Sequence, residues 1–300
     1  MAGRGRGRGR GLLSSNVTAV APGSGDYQAL LVKLGHIRTA EEEKNKEHNG
    51  NQNAKSPSPS PSPSSSSTTT LSDVEEALRS LQVDADESDL KKINQLATDA
   101  AKSGEDLKKV AEMIYKKCLG DREFAKSGAI ICHLMVGIEV EGTKFRNCIL
   151  SLLQKDFKDK EEIRKTSSVR FLGFLATLCQ VFGHMRTATG ELFKPLVSPI
   201  CESMEMILEQ ETDTTADECE FLTLQLQAVG KELDDIGSER LGKLMEKVRT
   251  KIVNNGTSPR IRCTLLEVLE CYCRRFDEPP NDVTRFYCDT MADILSGMVV

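Results

Sequence analysis

Residue types that can do chemistry are present in the chain, but their spacing matches no catalytic arrangement. Ten cysteines are scattered between Cys118 and Cys288 without a Cys-x-x-Cys pair, and the chain has only four histidines. Metal sites and thiol catalysts need partners at defined spacing, so neither is expected. The chain also lacks Gly-x-Ser-x-Gly, His-Glu-x-x-His and the glycine-rich phosphate loops. We therefore expect no enzyme, no cofactor and no metal, and cysteines that serve as small apolar side chains.

Arginine occupies every second position near the start of the chain, at Arg4, Arg6, Arg8 and Arg10, with glycine between. A segment of this composition has too little apolar surface to order itself. Guanidinium groups attract phosphates and stack on bases, so these four arginines are predicted to contact RNA. The alternative interpretation is a solubilising tail.

Four serines, Ser56, Ser58, Ser60 and Ser62, each precede a proline in a low-complexity segment. Proline-directed kinases phosphorylate such serines, and each phosphate would add negative charge to the segment. The alternative interpretation is a plain spacer of extended character. On this composition, residues 1–84 are predicted to be a disordered arginine-glycine tail and linker.

Charge and hydropathy exclude several classes of protein. Residues 1–75 contain nine Lys or Arg and seven Asp or Glu, which leaves 31 basic and 38 acidic residues in the remainder. A mildly acidic domain does not hold nucleic acid by its overall field. The uncharged run Phe171–Met185 has 15 residues, shorter than the roughly 20 that span a bilayer. With no apolar signal segment at the N-terminus, we expect a cytoplasmic protein that is also present in the nucleus, without membrane contact.

From about residue 88 the chain consists of amphipathic segments with helical spacing and no alternating strand pattern. The first helices of successive pairs are predicted to begin near residues 88, 121, 161, 215 and 258. The steps between them match HEAT-like repeats of about 40 to 47 residues. The sequence therefore predicts an all-α crescent of about five antiparallel helix pairs over residues 85–276. A last helix in residues 277–300 is predicted to cover its end.

The uncharged run Phe171–Met185 falls in the first helix of the third pair, where neighbouring pairs cover it on both sides. Because stacked repeats without an active site work through their surfaces, exposed residues beside this run are candidates for binding. Mixtures of cations and an aromatic residue are enriched in binding hot spots. The predicted partner-binding residues are Arg164, Lys165 and Arg170 before the run, and Arg186, Phe193 and Lys194 after it. The alternative is a polar connector with Phe193 tucked into the core.

Three stretches carry a family resemblance: RKTSSVRFLGFLATLCQVFGHMRTATGELFKPLVSPI, ECEFLTLQLQAVGKELDDIG and RCTLLEVLECYCRRF. They resemble the middle domain of the scaffold initiation factor 4G and its smaller relatives, over about Leu90 to Phe276. The resemblance is strongest to two smaller branches. One depends on the nuclear cap-binding complex, and the other binds the histone stem-loop-binding protein. In this family the domain is a crescent of five HEAT-like pairs.

The resemblance implies a non-enzymatic adaptor in translation initiation. Such an adaptor links an mRNA-end complex, either the nuclear cap-binding complex or the histone stem-loop-binding protein, to initiation factors or a DEAD-box helicase. It would thereby promote translation of selected mRNAs. The alternative function is a direct RNA-binding module that acts in mRNA surveillance or mRNA metabolism. Self-association of the chain is left open by the sequence, as is the role of the apolar island Leu30–Ile37.

Overall fold

The computed structural model describes residues 69–82, 85–187, 189–209 and 214–298, all within one compact unit of the chain, Pro61–Val300. The described residues form eleven α-helices, and the all-α prediction is confirmed. In chain order these are α1 Leu71–Ser80, α2 Glu87–Ala100, α3 Gly104–Gly120, α4 Ala125–Leu134, α5 Phe145–Lys158, α6 Lys160–Thr166, α7 Ser168–His184, α8 Val197–Glu209, α9 Ala216–Val253, α10 Pro259–Cys273 and α11 Asn281–Leu295. A short hairpin, β1 Glu139–Val140 and β2 Thr143–Lys144, precedes α5.

Four of the predicted pairs correspond to α2 with α3, α4 with α5, α7 with α8, and the two halves of α9. The fifth consists of α10 and α11, and α11 lies in residues 277–300, the range predicted for the last helix. The apolar residues of α2 at helical spacing, Leu90, Ile93, Ala97 and Ala100, are buried. Polar caps begin several of these helices. In α9, the Thr215 hydroxyl accepts from the Glu218 amide, while the Glu218 carboxylate accepts from the Thr215 amide. Such a capping box satisfies two otherwise unbonded amides and defines where the helix begins.

The uncharged run forms most of α7, the central helix of the described residues. Eleven of its residues are buried, and the helix contacts α3, α4, α8 and α9. Phe171, Phe174 and Phe182 are fully buried. A helix with so wide an apolar surface needs neighbours on most of its sides. No helix in the described part of the chain is both long and apolar enough to cross a membrane.

The third repeat begins differently from its prediction. The segment starting near residue 161 was expected to be one continuous helix, but it is divided into α6 and α7 at Ser167. Ser167 has an extended backbone, with φ −156° and ψ 105°, and its hydroxyl accepts from the Arg170 amide. A serine that caps in this way competes with continuation of the helix. The first long helix of this repeat therefore starts at Ser168.

A second difference lies inside the range 1–84, which was predicted to be disordered. Within it, residues 71–80 form α1, with Thr70 and Asp73 in a capping box. Val74 and Leu78 are buried against the helices that follow. The reason is amphipathicity: two apolar residues four apart give this short segment a face to bury. The predicted RNA contacts of Arg4, Arg6, Arg8 and Arg10 and the predicted phosphorylation of Ser56, Ser58, Ser60 and Ser62 lie outside the described residues, as does the apolar island Leu30–Ile37.

Lys117 of α3 holds the end of α1 in place. Its ammonium donates to the Leu78 carbonyl and, at 3.0 Å, to the Leu81 carbonyl. The same ammonium lies 4.4 Å from the centre of the Phe124 ring. Burial lowers the pKa of Lys117 from its usual value. A positive charge at the carbonyl end of a helix is stabilising, so this one side chain ties α1 to the first repeat.

Replacing Lys117 with Met should loosen α1 while leaving the rest of the fold intact. Methionine keeps most of the apolar stem but cannot donate to the two carbonyls, a loss of about 1.5 to 3 kcal/mol. Hydrogen exchange should show faster exchange of the amides in α1 and unchanged exchange in α7. The control is Lys116→Met, since Lys116 is the exposed neighbour. Equal exchange of α1 in both variants would show that Lys117 does not hold it.

Helix α9 is continuous except at Gly237, where φ −139° and ψ 42° interrupt the helix. A methyl group at this position would lie 2.6 Å from Cγ1 of Val197 in α8, so any larger residue here would require Val197 to move. The two halves of this repeat are therefore joined by a kink, without a loop.

At the end of the described chain, α11 packs against α10 but contains no fully buried residue.

Candidate partner-binding surfaces

The six predicted binding residues do not form a single site. Three precede α7 or lie in its first turn, and three follow it. Helix α7 has 17 residues, which at 1.5 Å per residue places its ends about 25 Å apart. Two surfaces are therefore distinguished. The amino-end surface comprises Lys165, Val169 and Arg170, and the carboxyl-end surface comprises Arg186, Phe193 and Lys194.

Arg164 was predicted to be exposed, and this prediction is wrong. It is only 7% exposed, and its guanidinium is 3.3 Å from the Glu218 carboxylate, which is itself buried. The guanidinium also donates to the Met206 carbonyl and lies over the Phe171 ring, 5.4 Å from its centre. An Arg fork serves a buried carboxylate well because it supplies several donors in fixed geometry. Arg164 therefore joins α6, α8 and α9 and is inaccessible to a partner.

Arg170 is partly exposed and also has a structural role. Its Nη2 lies 3.0 Å from each carboxylate oxygen of Asp156, which is 4% exposed. The Tyr115 hydroxyl donates to the same carboxylate at 2.9 Å. Burial, followed by the charge of Asp156, raises the pKa of Tyr115 far above its usual value, so the phenol stays protonated. Arg170 thus neutralises a buried carboxylate while presenting part of its side chain to solvent.

Lys165 and Val169 are the accessible members of the amino-end surface. Lys165 is exposed, and Val169 is 69% exposed, although it lies in the first turn of the largely buried helix α7. Val169 was not among the predicted binding residues, since it lies two residues before the apolar run and resembles a further core residue. An exposed apolar side chain between cations can add to the affinity of a partner because it loses water on binding. This surface therefore offers a cation, an apolar contact and part of a guanidinium.

The carboxyl-end surface is more strongly tied to the fold. Arg186 donates from Nη1 to the carbonyls of Gly183 and Met185, at 2.8 and 3.0 Å, and so caps the end of α7. Phe193 is half-buried against the core, whereas Lys194 is exposed. This agrees in part with the alternative of a polar connector, in which Phe193 is tucked into the core. Lys194 is the most accessible of the three side chains.

Neither surface brings catalytic groups together. Across the described residues, no three His, Cys, Asp or Glu side chains are placed to hold a metal ion. All ten cysteines are free thiols. Burial raises the pKa of Cys118, Cys201 and Cys219 to about 12, so these thiols stay protonated at neutral pH. A protonated thiol is a poor nucleophile, which suits the packing role predicted for the cysteines.

Comparisons with known proteins identify the helical domain. The MIF4G domain matches residues 75–271. A CBP80/20-dependent translation initiation factor of Xenopus tropicalis is 34% identical over 218 residues, which is 72% of this chain and 37% of the relative. MIF4G domain-containing proteins match a shorter part. That of Danio rerio is 27% identical and that of Homo sapiens 25%, each over 169 residues and about three quarters of the relative.

The similarity applies only to the part of each relative that the chain matches. The chain spans little more than a third of the initiation factor from Xenopus tropicalis. The match to the MIF4G domain, by contrast, runs from α1 to α10 and includes both surfaces at the ends of α7. The resemblance to the middle domain of initiation factor 4G is confirmed. The chain belongs to the MIF4G domain family.

Proposed function

We propose that this protein is a non-enzymatic adaptor in translation initiation. In this role it links an mRNA-end complex, either a nuclear cap-binding complex or a histone stem-loop-binding protein, to initiation factors or a DEAD-box helicase. The observation that carries the proposal is the amino-end surface. It exposes Val169 and Lys165 in the middle repeat, where the core needs neither side chain. The MIF4G match and the relative named as an initiation factor support the choice of process.

A substitution in each surface tests the proposal. In the full-length chain, Lys165→Glu with Val169→Asp reverses the charge and removes the apolar contact at the amino-end surface. The reversed charge and the lost apolar contact should reduce partner recovery several-fold, because hot-spot contacts dominate binding. Phe193→Ala with Lys194→Glu tests the carboxyl-end surface in the same way. Arg164 and Arg170 are left unchanged because each balances a buried carboxylate.

The measurement is affinity purification from cell extract, with and without nuclease, followed by mass spectrometry of the bound proteins. The matched control is Lys102→Glu with Val253→Asp, an exposed lysine and a valine that is 75% exposed, both elsewhere in the domain. Initiation factors, a helicase or an mRNA-end-binding protein should survive nuclease and be lost only from the surface variants. Loss of all of them with nuclease would favour the direct RNA-binding function. Full recovery in both surface variants would place the binding site elsewhere.

A further inference from the structure

Helix α11 leaves a large aromatic side chain in solvent. Phe286 is 61% exposed. The ring packs edge-to-face on that of Tyr287, with the ring centres 5.2 Å apart. The half-buried apolar residues of α11 form a separate stripe at helical spacing, and they are Val283, Tyr287, Met291 and Ile294. Phe286 lies beside this stripe, so its apolar surface is available to a partner.

Three aspartates border Phe286 on the same side of α11. Asp282 lies four residues before it, and Asp289 and Asp293 lie three and seven residues after it, positions that share one face of a helix. The first two are exposed, and Asp293 is half-buried. Among the ion pairs of the described residues, none includes these aspartates. We call Phe286 and the three aspartates the α11 face.

The charges around the α11 face leave an excess of carboxylates. Helix α11 contains one arginine, Arg285, and three aspartates, a net charge of −2. In α10, on which it packs, two arginines are matched by two glutamates. The two arginines that connect these helices are engaged elsewhere. Arg274 donates to the Glu278 carbonyl at 2.7 Å, and Arg275 lies 3.6 Å from Asp234 of α9.

The connection before α11 holds the start of this helix in place. Phe276 fills a notch beside Gly230 of α9, where a methyl group would lie 2.6 Å from two atoms of the ring. The Asp277 carboxylate accepts from the Lys231 ammonium of α9 at 2.8 Å. Together with the packing of α11 on α10, these contacts present Phe286 on an anchored helix.

We propose that the α11 face binds a basic amphipathic helix of a partner protein. An aliphatic side chain of that helix would pack on the Phe286 ring, while lysines or arginines on either side of it would pair with the aspartates. Asp282 and Asp289 lie two turns apart, about 10 Å, and cations seven residues apart on a partner helix match this spacing. Charge complementarity favours such a segment over RNA, because the carboxylates repel phosphates.

The proposed contact goes beyond the adaptor function and does not depend on the amino-end surface. Helix α11 begins after residue 271, where the match to the MIF4G domain ends. The α11 face is therefore a feature of this chain outside the matched domain.

The test uses the full-length chain and a fluorescent synthetic peptide whose leucines form one helical stripe bordered by lysines. The peptide should bind at about 50 mM salt and several-fold more weakly at about 500 mM, because salt screens the pairs between lysine and aspartate. A peptide with glutamate in place of each lysine should not bind.

Two pairs of matched variants locate the binding site. Phe286→Ala should weaken binding about tenfold, since a central aromatic anchor dominates such a contact. Its control, Leu295→Ala, removes a side chain that is 63% exposed, nine residues away and so on the opposite side of α11, and should leave binding unchanged. Asp282→Asn with Asp289→Asn should weaken binding and remove most of its salt dependence. Glu123→Gln with Glu161→Gln, at exposed positions elsewhere in the domain, should retain both.

Three results would overturn the proposal. Equal binding by Phe286→Ala and Leu295→Ala removes the aromatic ring from the site. Salt-dependent binding that survives Asp282→Asn with Asp289→Asn shows that the peptide responds only to the overall charge of the domain. Self-association in sedimentation velocity that is lost in Phe286→Ala, without binding of the peptide, assigns the face to a second copy of the chain. The adaptor function is tested separately, through the amino-end surface.

Discussion

Replacing Gly173 with Ala should lower the free energy of unfolding by about 2 to 3 kcal/mol, despite the better helix propensity of alanine. Gly173 lies where α7 passes close to the backbone at the end of α3. A methyl group there would lie 2.9 Å from both the Cα and the carbonyl carbon of Leu119. Backbone atoms cannot swing aside as the end of a flexible side chain can. The helices must separate instead, and the packing of the central repeat suffers.

Urea unfolding followed by circular dichroism measures this effect. The control is Gly120→Ala, at the end of α3, where no atom lies within 4 Å of an added methyl group. That variant should be neutral or gain up to about 1 kcal/mol from helix propensity. Equal stability of the two variants would mean that the approach of α7 to Leu119 is easily relaxed.

Replacing Arg164 with Met should cost about 3 to 5 kcal/mol, because it leaves the buried carboxylate of Glu218 without its cation. Glu218 would keep its bonds from the Thr215 amide and the Ser168 hydroxyl, but these do not neutralise its charge. Removing the charge as well, in Arg164→Met with Glu218→Gln, should recover part of the loss. The same unfolding measurement checks both variants.

The control for Arg164 is an exposed arginine with carboxylate partners. Arg79→Met removes pairs with Glu75 and Glu76, in which the side chains are more than 60% exposed. Exposed pairs contribute less than about 1 kcal/mol, so this variant should be nearly as stable as the original chain. A similarly small effect of Arg164→Met would show that Glu218 is stabilised by other means.

The repeat architecture was predictable because apolar residues in each helix recur at helical spacing. The run in α7 is the strongest case, since its lack of charge indicated a helix covered on both sides. The break at Ser167 was not predictable, because it depends on one hydroxyl bonding to the Arg170 amide. The hairpin was also missed. Its two-residue strands are too short to show alternation, and the Glu141 carboxylate supports it by accepting from the distant Gly104 amide at 3.1 Å.

The candidate binding residues were predictable by type but not by location. Cations beside an uncharged run fit a binding surface equally well whether they are exposed, as Lys165 is, or buried, as Arg164 is. The difference depends on Glu218, which lies 54 residues further along the chain and meets Arg164 only in the folded protein. Val169 presents the converse problem, since an apolar residue in the first turn of a core helix gives no local sign that it faces solvent.

The kink at Gly237 determines where the chain can accept extra residues. Most repeats of this domain join their two helices through a connecting segment, and inserted residues in such a segment extend into solvent at modest entropic cost. In α9 one residue makes the whole connection, with Val197 packed against it. Even a short insertion there would rotate one half of the repeat relative to the other. A reporter peptide or affinity tag is therefore better placed near Asn255 and Gly256, in the turn between α9 and α10.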